Sequence, residues 1–423
     1  MSSAVSKPNL FGLDRADLGA LVAELGEPAY RAGQIYLWLY RRRARSIDEM
    51  TDLTKSVREA LAGRYDLRWP EVVERGHSRD GTIKYLFRLD DGATIESVYI
   101  PEERRRTICI STQAGCPLKC TFCLTGISGY KRNLRPWEIL GQVATVMYET
   151  AELGGARSAA TSEGGFRGGR ERPSQSRVSA PPEVKDRGGA RSAATSEGGF
   201  RGGRERPSQS RVSAPPDLKN RAWNVVVMGM GEPLLNYDNT VVALRALMDP
   251  QGFAVAPRKL TLSTVGILPA LEKLMQEPVR PNLAISLHAP TKDLRRELMP
   301  IEDRYDIKDV IAAAQRYPIP RGGVVTYEYV LLGGVNDQPA HARALVRLLA
   351  GSNGKVNLIP LNPAPEIPFA PPTREAVDEF CRILSEARVT VSVRRPRGQD
   401  ILAACGQLHL KRGEVPVPAP VAS

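Results

Sequence analysis

Three cysteines lie in one short stretch of the chain, at Cys116, Cys120 and Cys123, with the spacing CxxxCxxC. Three thiolates from one loop can bind three irons of a cuboidal iron–sulfur cluster and leave the fourth iron open to a small molecule. A structural zinc site closes with four ligands, and the four histidines, at positions 77, 288, 341 and 409, are distant in sequence. The spacing therefore favours a [4Fe-4S] cluster that contacts a ligand, with a zinc site or free buried thiols as alternatives.

The other features of the chain favour reduced, chemically active thiols. Only 6 cysteines occur in 423 residues, and four of them lie between positions 109 and 123. The sequence shows no charged-then-apolar signal peptide and no apolar run near about 18 residues. We therefore expect a cytoplasmic protein without membrane association, in which disulfide scaffolding is absent.

Composition indicates a globular protein with a polyanionic partner. The length of 423 residues suggests two or three domains, and 42% hydrophobic with 25% charged residues is typical of globular proteins. The net charge is +12, but a repeat supplies about half of it. Residues 154–182 recur identically at 188–216, and each copy carries five Arg and two Glu.

This repeat is rich in Gly, Ser, Arg and Pro and has few large apolar residues. Such a segment cannot bury enough surface to offset its ordering entropy, so we expect a disordered insertion at 154–220. Its identical copies are typical of a recent duplication without function. The alternative is an Arg/Gly-rich arm that binds RNA phosphates.

The N-terminal part, residues 8–70, shows helical periodicity, which predicts a helical accessory domain over 1–83. Four arginines between positions 41 and 45 follow the aromatic residues Tyr36, Trp38 and Tyr40. A basic cluster beside aromatic residues is typical of nucleic-acid binding. The alternative is a solvated helix end that the helix dipole favours.

The following part alternates apolar strands with helices. The predicted strands are 106–111, 224–230, 260–264, 283–288, 324–331 and 355–361, and the predicted helices are 136–150, 239–248, 268–276, 306–316, 338–351 and 373–386. Such β/α units predict an α/β fold with a parallel sheet, either doubly wound or a full or partial barrel. Sheets of this kind place their chemistry at the C-terminal ends of the strands.

Candidate ligand-binding residues, most of them polar, stand where these strands end. They are Gly231 and Glu232 after the second strand, Ser263 at the end of the third, Ser286, Leu287 and His288 at the end of the fourth, and Asn362 after the sixth. Each alone is as typical of a helix cap or a turn. Together, at equivalent positions of one sheet, they predict a pocket for a polar, nucleoside-like ligand.

Several motifs resemble a known family. The segment CPLKCTFC at 116–123 resembles the radical S-adenosylmethionine signature, and GEP at 231–233 resembles the motif that binds the methionine amino group. The flanking segments are similar to the RlmN family of RNA methyltransferases: STQAGC at 111–116, GMGEPLLN at 229–236, LST at 262–264, ISLHA at 285–289, VNLIP at 356–360 and AACGQL at 403–408. The resemblance covers about 8–153 and 221–410.

The resemblance implies a partial (β/α)6 TIM-like radical-SAM barrel over 84–410, interrupted by the insertion, with a flexible tail at 411–423. It implies S-adenosylmethionine as the cofactor beside the cluster, bound by the strand-end residues named above. It pairs Cys109 with Cys405 as mechanistic cysteines and makes Glu96 a catalytic base. Without the resemblance, Cys109 is better explained as an inert buried thiol and Cys405 as a chance cysteine near the C-terminus. Glu96 is equally explained as a surface strand residue, and Cys381 has only the structural explanation.

The chemistry implied is methylation of C2 of adenosine in 23S rRNA and, in some bacteria, in tRNA. Carbon C2 is electrophilic and cannot attack a sulfonium methyl group. In the implied route Cys405 accepts a methyl group from one S-adenosylmethionine, and the reduced cluster cleaves a second one. The resulting radical abstracts hydrogen from the methylated thiol, and the methylene radical adds to C2. Glu96 removes the C2 proton, and Cys109 attacks Cys405 to release product with a transient disulfide.

Two alternatives share some of these features. The Cfr type of the same superfamily methylates C8 of the same adenosine with the same cysteine set, although the Leu234-Leu235 pair after Gly-Glu-Pro is more similar to RlmN. A zinc-stabilised RNA-binding protein without enzymatic activity is the alternative from another class. For the enzyme, we expect RNA partners, an electron donor such as flavodoxin or ferredoxin, and a monomeric state.

Overall fold

A computed structural model describes residues 7–103, 105–160 and 223–409 of the chain. Most of these residues build one ten-stranded sheet with helices packed against it. A single hydrophobic core runs from the N-terminal helices to the last turn before residue 409. Within the described residues no helix is both long and apolar enough to span a membrane.

The N-terminal region is helical up to Arg64, as the periodicity predicts. Its helices are α1 (Arg15–Glu24), α2 (Tyr30–Tyr36), which continues as a π-helix over Leu37–Arg42, and α3 (Lys55–Arg64). Helix α1 begins with a capping box in which the Asp14 side chain accepts from the backbone of Asp17 and the Asp17 side chain from the backbone of Asp14. Helix packing against the core includes Tyr40, whose ring lies 6.2 Å from that of Phe253.

Three antiparallel strands follow that the sequence analysis missed. They are β1 (Glu71–His77), β2 (Ile83–Arg88) and β3 (Thr94–Pro101), and they pair in order. Strand β1 lies within the segment 1–83 that was expected to be helical, and it belongs to the main sheet. Strand β3 pairs with the first parallel strand, so Glu96 lies on a strand of the main sheet.

Seven parallel strands form the rest of the sheet. In spatial order they are β4 (Arg106–Ile110), β7 (Trp223–Val227), β8 (Leu260–Thr264), β9 (Asn282–Ser286), β10 (Thr326–Leu331), β11 (Lys355–Pro360) and β12 (Thr390–Val393). A separate pair, β5 (Gln113–Gly115) and β6 (Tyr130–Asn133), lies in the loop after β4. All six predicted strands are present, β12 is an addition, and among the described residues β12 does not pair back to close the barrel. The predicted partial α/β barrel with an N-terminal helical region is confirmed.

Helices connect the parallel strands. They are α4 (Leu124–Ile127), α5 (Pro136–Ala160), α6 (Tyr237–Met248), α7 (Leu268–Met275), α8 (Lys292–Leu298), α9 (Ile307–Arg316), α10 (Pro339–Leu348) and α11 (Arg374–Glu386). The predicted helices match these within a few residues, except that α5 continues to Ala160 and so into the segment expected to be disordered. The remainder of that insertion and the tail at 411–423 lie outside the described residues.

Candidate active site

The three clustered cysteines line one cleft at the C-terminal ends of the parallel strands. Cys116 follows β5 directly, and Cys123 precedes α4. The loop between them is folded tightly, because Lys119 has a φ of 55° and the Cys123 N–H donates to the Cys120 carbonyl at 3.3 Å. It is tied to the barrel by the Thr121 N–H, which donates to the Leu298 carbonyl at 3.1 Å.

The donor set fits a cluster better than a single ion. All six cysteines are free thiols, and three of them share this loop. Among the described residues, no three or more His, Cys, Asp or Glu side chains are arranged to hold one metal ion. In a cuboidal cluster each thiolate binds a different iron, so its thiols need not converge on one point. Burial raises the pKa of Cys116 to about 12 and that of Cys120 well above its ordinary value, a cost that metal binding offsets by stabilising the thiolate.

Glu232 places a buried carboxylate at the end of β7. Its Oε1 accepts from the Thr264 hydroxyl at 2.7 Å and the Leu234 N–H at 3.0 Å, and its Oε2 accepts from the Val265 N–H at 2.9 Å. Burial raises its pKa to about 7 despite these three donors. A cationic partner stabilises the charged form of a buried carboxylate, and the ammonium group of an amino acid is such a partner.

Gly231 lets the backbone pass close to the cluster loop. Its φ is 102°, and a Cβ atom there would lie 2.5 Å from the Cβ atom of Gln113. Gln113 supports the turn, because its Oε1 accepts from the Glu232 N–H at 2.8 Å. This glutamine was not predicted from the sequence, although it lies only three positions before Cys116.

The other predicted strand-end residues meet in the same cleft, with one exception. Ser263, Ser286, His288 and Asn362 all line it, and the hydroxyls of the two serines lie 3.4 Å apart. Leu287 does not line the cleft: its side chain is fully buried, its N–H donates to the Glu328 carbonyl, and its carbonyl accepts from Arg295. Alternation along the strand explains this, since neighbouring side chains point to opposite faces.

His288 is held as a neutral ring. Its backbone adopts a φ of 58°, and its Nδ1 accepts from the Val330 N–H at 3.0 Å, so Nε2 carries the proton. Burial, together with the nearby Arg295 guanidinium, lowers its pKa to about 3. The ring packs edge-on against Phe122 of the cysteine loop, with centroids 4.9 Å apart. His288 therefore lines the cleft as a neutral ring.

Cys109 and Cys405 are brought together from distant parts of the chain. Cys109 is buried on β4, Cys405 follows β12, and both line a small cavity that also contains Cys123 and Arg394. The Cys405 segment is anchored beside the cluster loop, because the Leu124 N–H donates to the Gly406 carbonyl at 2.8 Å. Burial raises the pKa of both thiols, that of Cys109 to about 12, and the Arg394 guanidinium lowers both.

Arg394 and Glu328 are residues of the cleft that the sequence analysis missed. Both line the main cleft. The charge of Arg394 interacts with Glu328 and with both Cys109 and Cys405. Burial raises the pKa of Glu328, whose Oε2 accepts from the Asn357 amide at 2.8 Å. Neither residue belongs to a recognisable motif, so no sequence signal distinguished them from other strand residues.

Glu96 lies apart from this cleft. It is fully buried, which excludes the surface alternative, and it pairs with Lys84 at 3.0 Å. Its Oε2 also accepts from the His409 N–H at 3.1 Å, and Lys84 donates to the Leu402 carbonyl at 3.3 Å. Glu96 and Lys84 therefore hold both ends of the segment that carries Cys405. Its role as a base stays a prediction.

Two protein-family models match the chain. The Ribosomal RNA large subunit methyltransferase N-terminal domain matches residues 8–66, and the Radical SAM superfamily matches residues 195–345. Together with the partial barrel and the cysteine loop, these matches define a radical S-adenosylmethionine enzyme.

Three proteins that are similar to this chain identify its family within this class. The dual-specificity RNA methyltransferase RlmN of Marinobacter nauticus is 39% identical over 96% of this chain and 94% of its own length. The probable RlmN of Gemmatimonas aurantiaca is 40% identical over 93% of this chain and 90% of its own length. The crystal structure of a radical SAM methyltransferase from Sphaerobacter thermophilus is 37% identical, has a TM-score of 0.75, and covers 95% of this chain and 99% of that one. The chain belongs to the RlmN family of radical S-adenosylmethionine RNA methyltransferases.

Proposed function

We propose that this protein methylates C2 of adenosine in 23S rRNA and in tRNA, with a methylated cysteine and a transient disulfide as intermediates. The observation that carries the two-cysteine mechanism is the shared cavity of Cys109 and Cys405 beside Cys123, and the similarity to RlmN proteins favours C2 over C8. Two thiols outside the clustered triad have no purpose in an enzyme that only cleaves S-adenosylmethionine. The names of the similar proteins, dual-specificity RNA methyltransferases, support two RNA substrates.

The residues of the cleft fit the cofactors that the family implies. Cys116, Cys120 and Cys123 would hold a [4Fe-4S] cluster, and Glu232 would bind the ammonium group of S-adenosylmethionine. Ser263, Ser286 and Asn362 offer hydrogen bonds to the rest of that molecule. When bound, the cluster supplies the electron that cleaves S-adenosylmethionine to a radical.

Cys405 is the proposed methyl carrier. Its thiolate attacks the sulfonium methyl group of S-adenosylmethionine, which yields S-adenosylhomocysteine and an S-methylcysteine. Burial opposes thiolate formation, whereas the Arg394 guanidinium favours it. Arg394 therefore promotes the first methyl transfer and the later attack by Cys109, because it favours the thiolate form of both residues.

Glu96 is the proposed base for the C2 proton. In the present arrangement its carboxylate is engaged by Lys84 and by the His409 backbone. For the Glu96 carboxylate to reach the C2 proton of the adenine, the segment 402–409 must move. That movement would break the same contacts that now hold Cys405 in place. The proposed catalytic cycle thus couples exposure of the Glu96 carboxylate to displacement of Cys405, the methyl carrier.

The remaining proposed partners follow from this chemistry. A protein reductant such as flavodoxin or ferredoxin would supply electrons. It would approach the outer side of the cysteine loop, where Ile127 and Tyr130 are exposed beside Lys119.

The test is the position of the methyl group. RNA from cells that lack this protein is compared with RNA from the same cells expressing it, by mass spectrometry of nucleosides from 23S rRNA and tRNA separately. The proposal expects 2-methyladenosine in both RNAs, and only with the active protein. Appearance of 8-methyladenosine would instead support the Cfr-type alternative, and methylation of rRNA alone would remove tRNA from the proposal.

A further inference from the structure

The interior of the barrel is open and polar below the reactive cysteines. In closed (β/α)8 barrels this space is filled by packed apolar side chains. Here small polar side chains face it from six of the seven parallel strands: Thr107, Asn224, Thr261, Thr326, Asn357 and Ser392. This lumen meets the cleft of the cluster loop at Met228, Glu328 and Arg394, which line both spaces. The reactive thiols can therefore be approached from below as well as from the C-terminal side.

The opening of the lumen at the N-terminal ends of the strands is strongly basic. The cationic residues that line the lumen at this end are Arg105, Arg258, Lys259 and Lys355, against one carboxylate, Glu102. Glu328, and the residues Arg394, Arg395 and Arg397 that follow the C-terminal end of β12, line it further along. Arg105 pairs with Glu102, and Arg397 lies 3.8 Å from Asp80. By contrast, Arg258, Lys259 and Lys355 form no ion pair with any carboxylate in the described part of the chain. Their charges remain available to an anionic ligand.

One polar atom in the lumen lacks a partner. The Oδ1 atom of Asn224 is buried and has no hydrogen bond to the described residues. Asn224 lies at the start of β7, on the inner side of the sheet. A buried amide oxygen without a partner costs free energy unless a ligand or water satisfies it. The amide group of asparagine is well suited to the edge of a nucleobase.

We propose that RNA enters through this basic opening, with its phosphates on Arg258, Lys259 and Lys355 and the target nucleotide extruded into the lumen. The inference rests on the proposed function, and it adds the face of the barrel from which the substrate arrives. Glu232 and the serines that would bind S-adenosylmethionine line the opposite, C-terminal cleft, so the two substrates would approach Cys405 from opposite ends. Enzymes that modify a nucleobase remove it from its stack. The lumen is a concave space that can accept a single extruded nucleotide but not a folded protein surface.

The distances are compatible with this arrangement. Thr326 and Lys355 are register partners at the opening, and Glu328 and Asn357 are partners two residues further along. At a rise of about 3.3 Å per residue, these two levels are about 7 Å apart. Glu328 lies at the level where the lumen joins the cleft of Cys405. The path from the phosphate-binding rim to the reactive thiols is thus short enough for a nucleotide that stays attached to its strand.

The charge of the opening is tested with Arg258→Gln, Lys259→Gln and Lys355→Gln, singly and combined, in the full-length protein. Binding of an in vitro transcribed tRNA is measured at several salt concentrations, beside binding of S-adenosylmethionine. Each substitution should weaken RNA binding severalfold and reduce the slope of log affinity against log salt by about one. Binding of S-adenosylmethionine should stay unchanged. The matched controls are Lys308→Gln and Arg347→Gln, which remove exposed charges from α9 and α10.

The path through the lumen is tested with Thr261→Phe, which fills the lumen without changing charge. Thr261→Val, of nearly equal volume, is its control, and thermal unfolding verifies that both variants fold. The Phe variant should lose RNA methylation but retain S-adenosylmethionine binding, and the Val variant, which leaves the lumen open, should methylate RNA much faster than the Phe variant. The proposal is overturned if the opening variants bind RNA like the parent, if the control variants lose as much, or if the folded Phe variant still methylates RNA. A parent protein that binds tRNA through the opening without forming 2-methyladenosine would instead refute the proposed function and leave this entry route standing.

Discussion

Replacing Glu232 with glutamine is the most informative perturbation of the cleft. The substitution keeps the shape of the side chain and removes the charge that a bound ammonium group would neutralise. A hydrogen bond to a charged group contributes about 1.5 to 3 kcal/mol, so affinity for S-adenosylmethionine should fall about 10- to 150-fold. The new amide nitrogen would also face the N–H of Val265 or the donors on Oε1, which adds destabilisation of the folded state.

The pH dependence of binding separates charge from packing. With a pKa of about 7, Glu232 is protonated in acidic solution before the ligand binds. Affinity of the parent protein should therefore decline as pH falls below about 7, approaching tenfold per pH unit. The Gln variant should lack this acidic limb but keep the alkaline limb near pH 8, where an α-amino group loses its proton.

The assay is equilibrium dialysis of S-adenosylmethionine against the anaerobically reconstituted protein between pH 5.5 and 8.5. Thermal unfolding of the same preparations measures the structural cost of each substitution. Glu272→Gln, on the exposed surface of α7, is the matched control. If Glu232→Gln binds within twofold of the parent, or if it retains the acidic limb, the assignment of Glu232 to the ammonium group is wrong.

Three further predictions concern the loop, the turn and the insertion. Gly231→Ala should destabilise the protein by about 1 to 3 kcal/mol and weaken S-adenosylmethionine binding, because its Cβ atom would meet Gln113 at 2.5 Å. Gly334→Ala, which has a positive φ but open space, isolates the cost of the backbone alone in thermal unfolding. Cys116→Ala should lose iron, sulfide and brown absorbance after anaerobic reconstitution, and retention of all three would contradict the cluster assignment. Deletion of 161–220 should leave the methylation rate unchanged, whereas a rise in the KM for RNA would favour the RNA-binding alternative for the repeat.

The parallel part of the fold was predictable from the sequence, because apolar strands and amphipathic helices alternate there with clear boundaries. The antiparallel strands were not. Strand β3 is buried along nearly its whole length and shows no alternation of polar and apolar residues. Strand β12 has the opposite property, since its side chains are largely exposed and its sequence is short. Strand β3 is held by pairing with its neighbours in the chain, β2 and β4, and β12 by pairing with β11 across helix α11.

The site was predictable where a motif fixes local geometry. The cysteine loop and the Gly231-Glu232 turn are local, and the structure brings them into one cleft. Leu287 was assigned from its neighbours, but the strand points its side chain away. Arg394 was missed because its importance depends on two cysteines brought near it by folding. Residues of this kind become visible only when the sheet order is known.

The central claim is that Cys405 carries the methyl group and Cys109 releases the product. Cys109→Ala tests it directly, because without the second thiol the bond between the Cys405 methylene group and the RNA cannot be resolved. Anaerobic reaction of this variant with RNA, followed by mass spectrometry of nuclease- and protease-digested material, should give a nucleotide attached to Cys405. Cys405→Ala in the same assay should give neither adduct nor product. Normal turnover by Cys109→Ala, or an adduct on any other residue, would contradict the account.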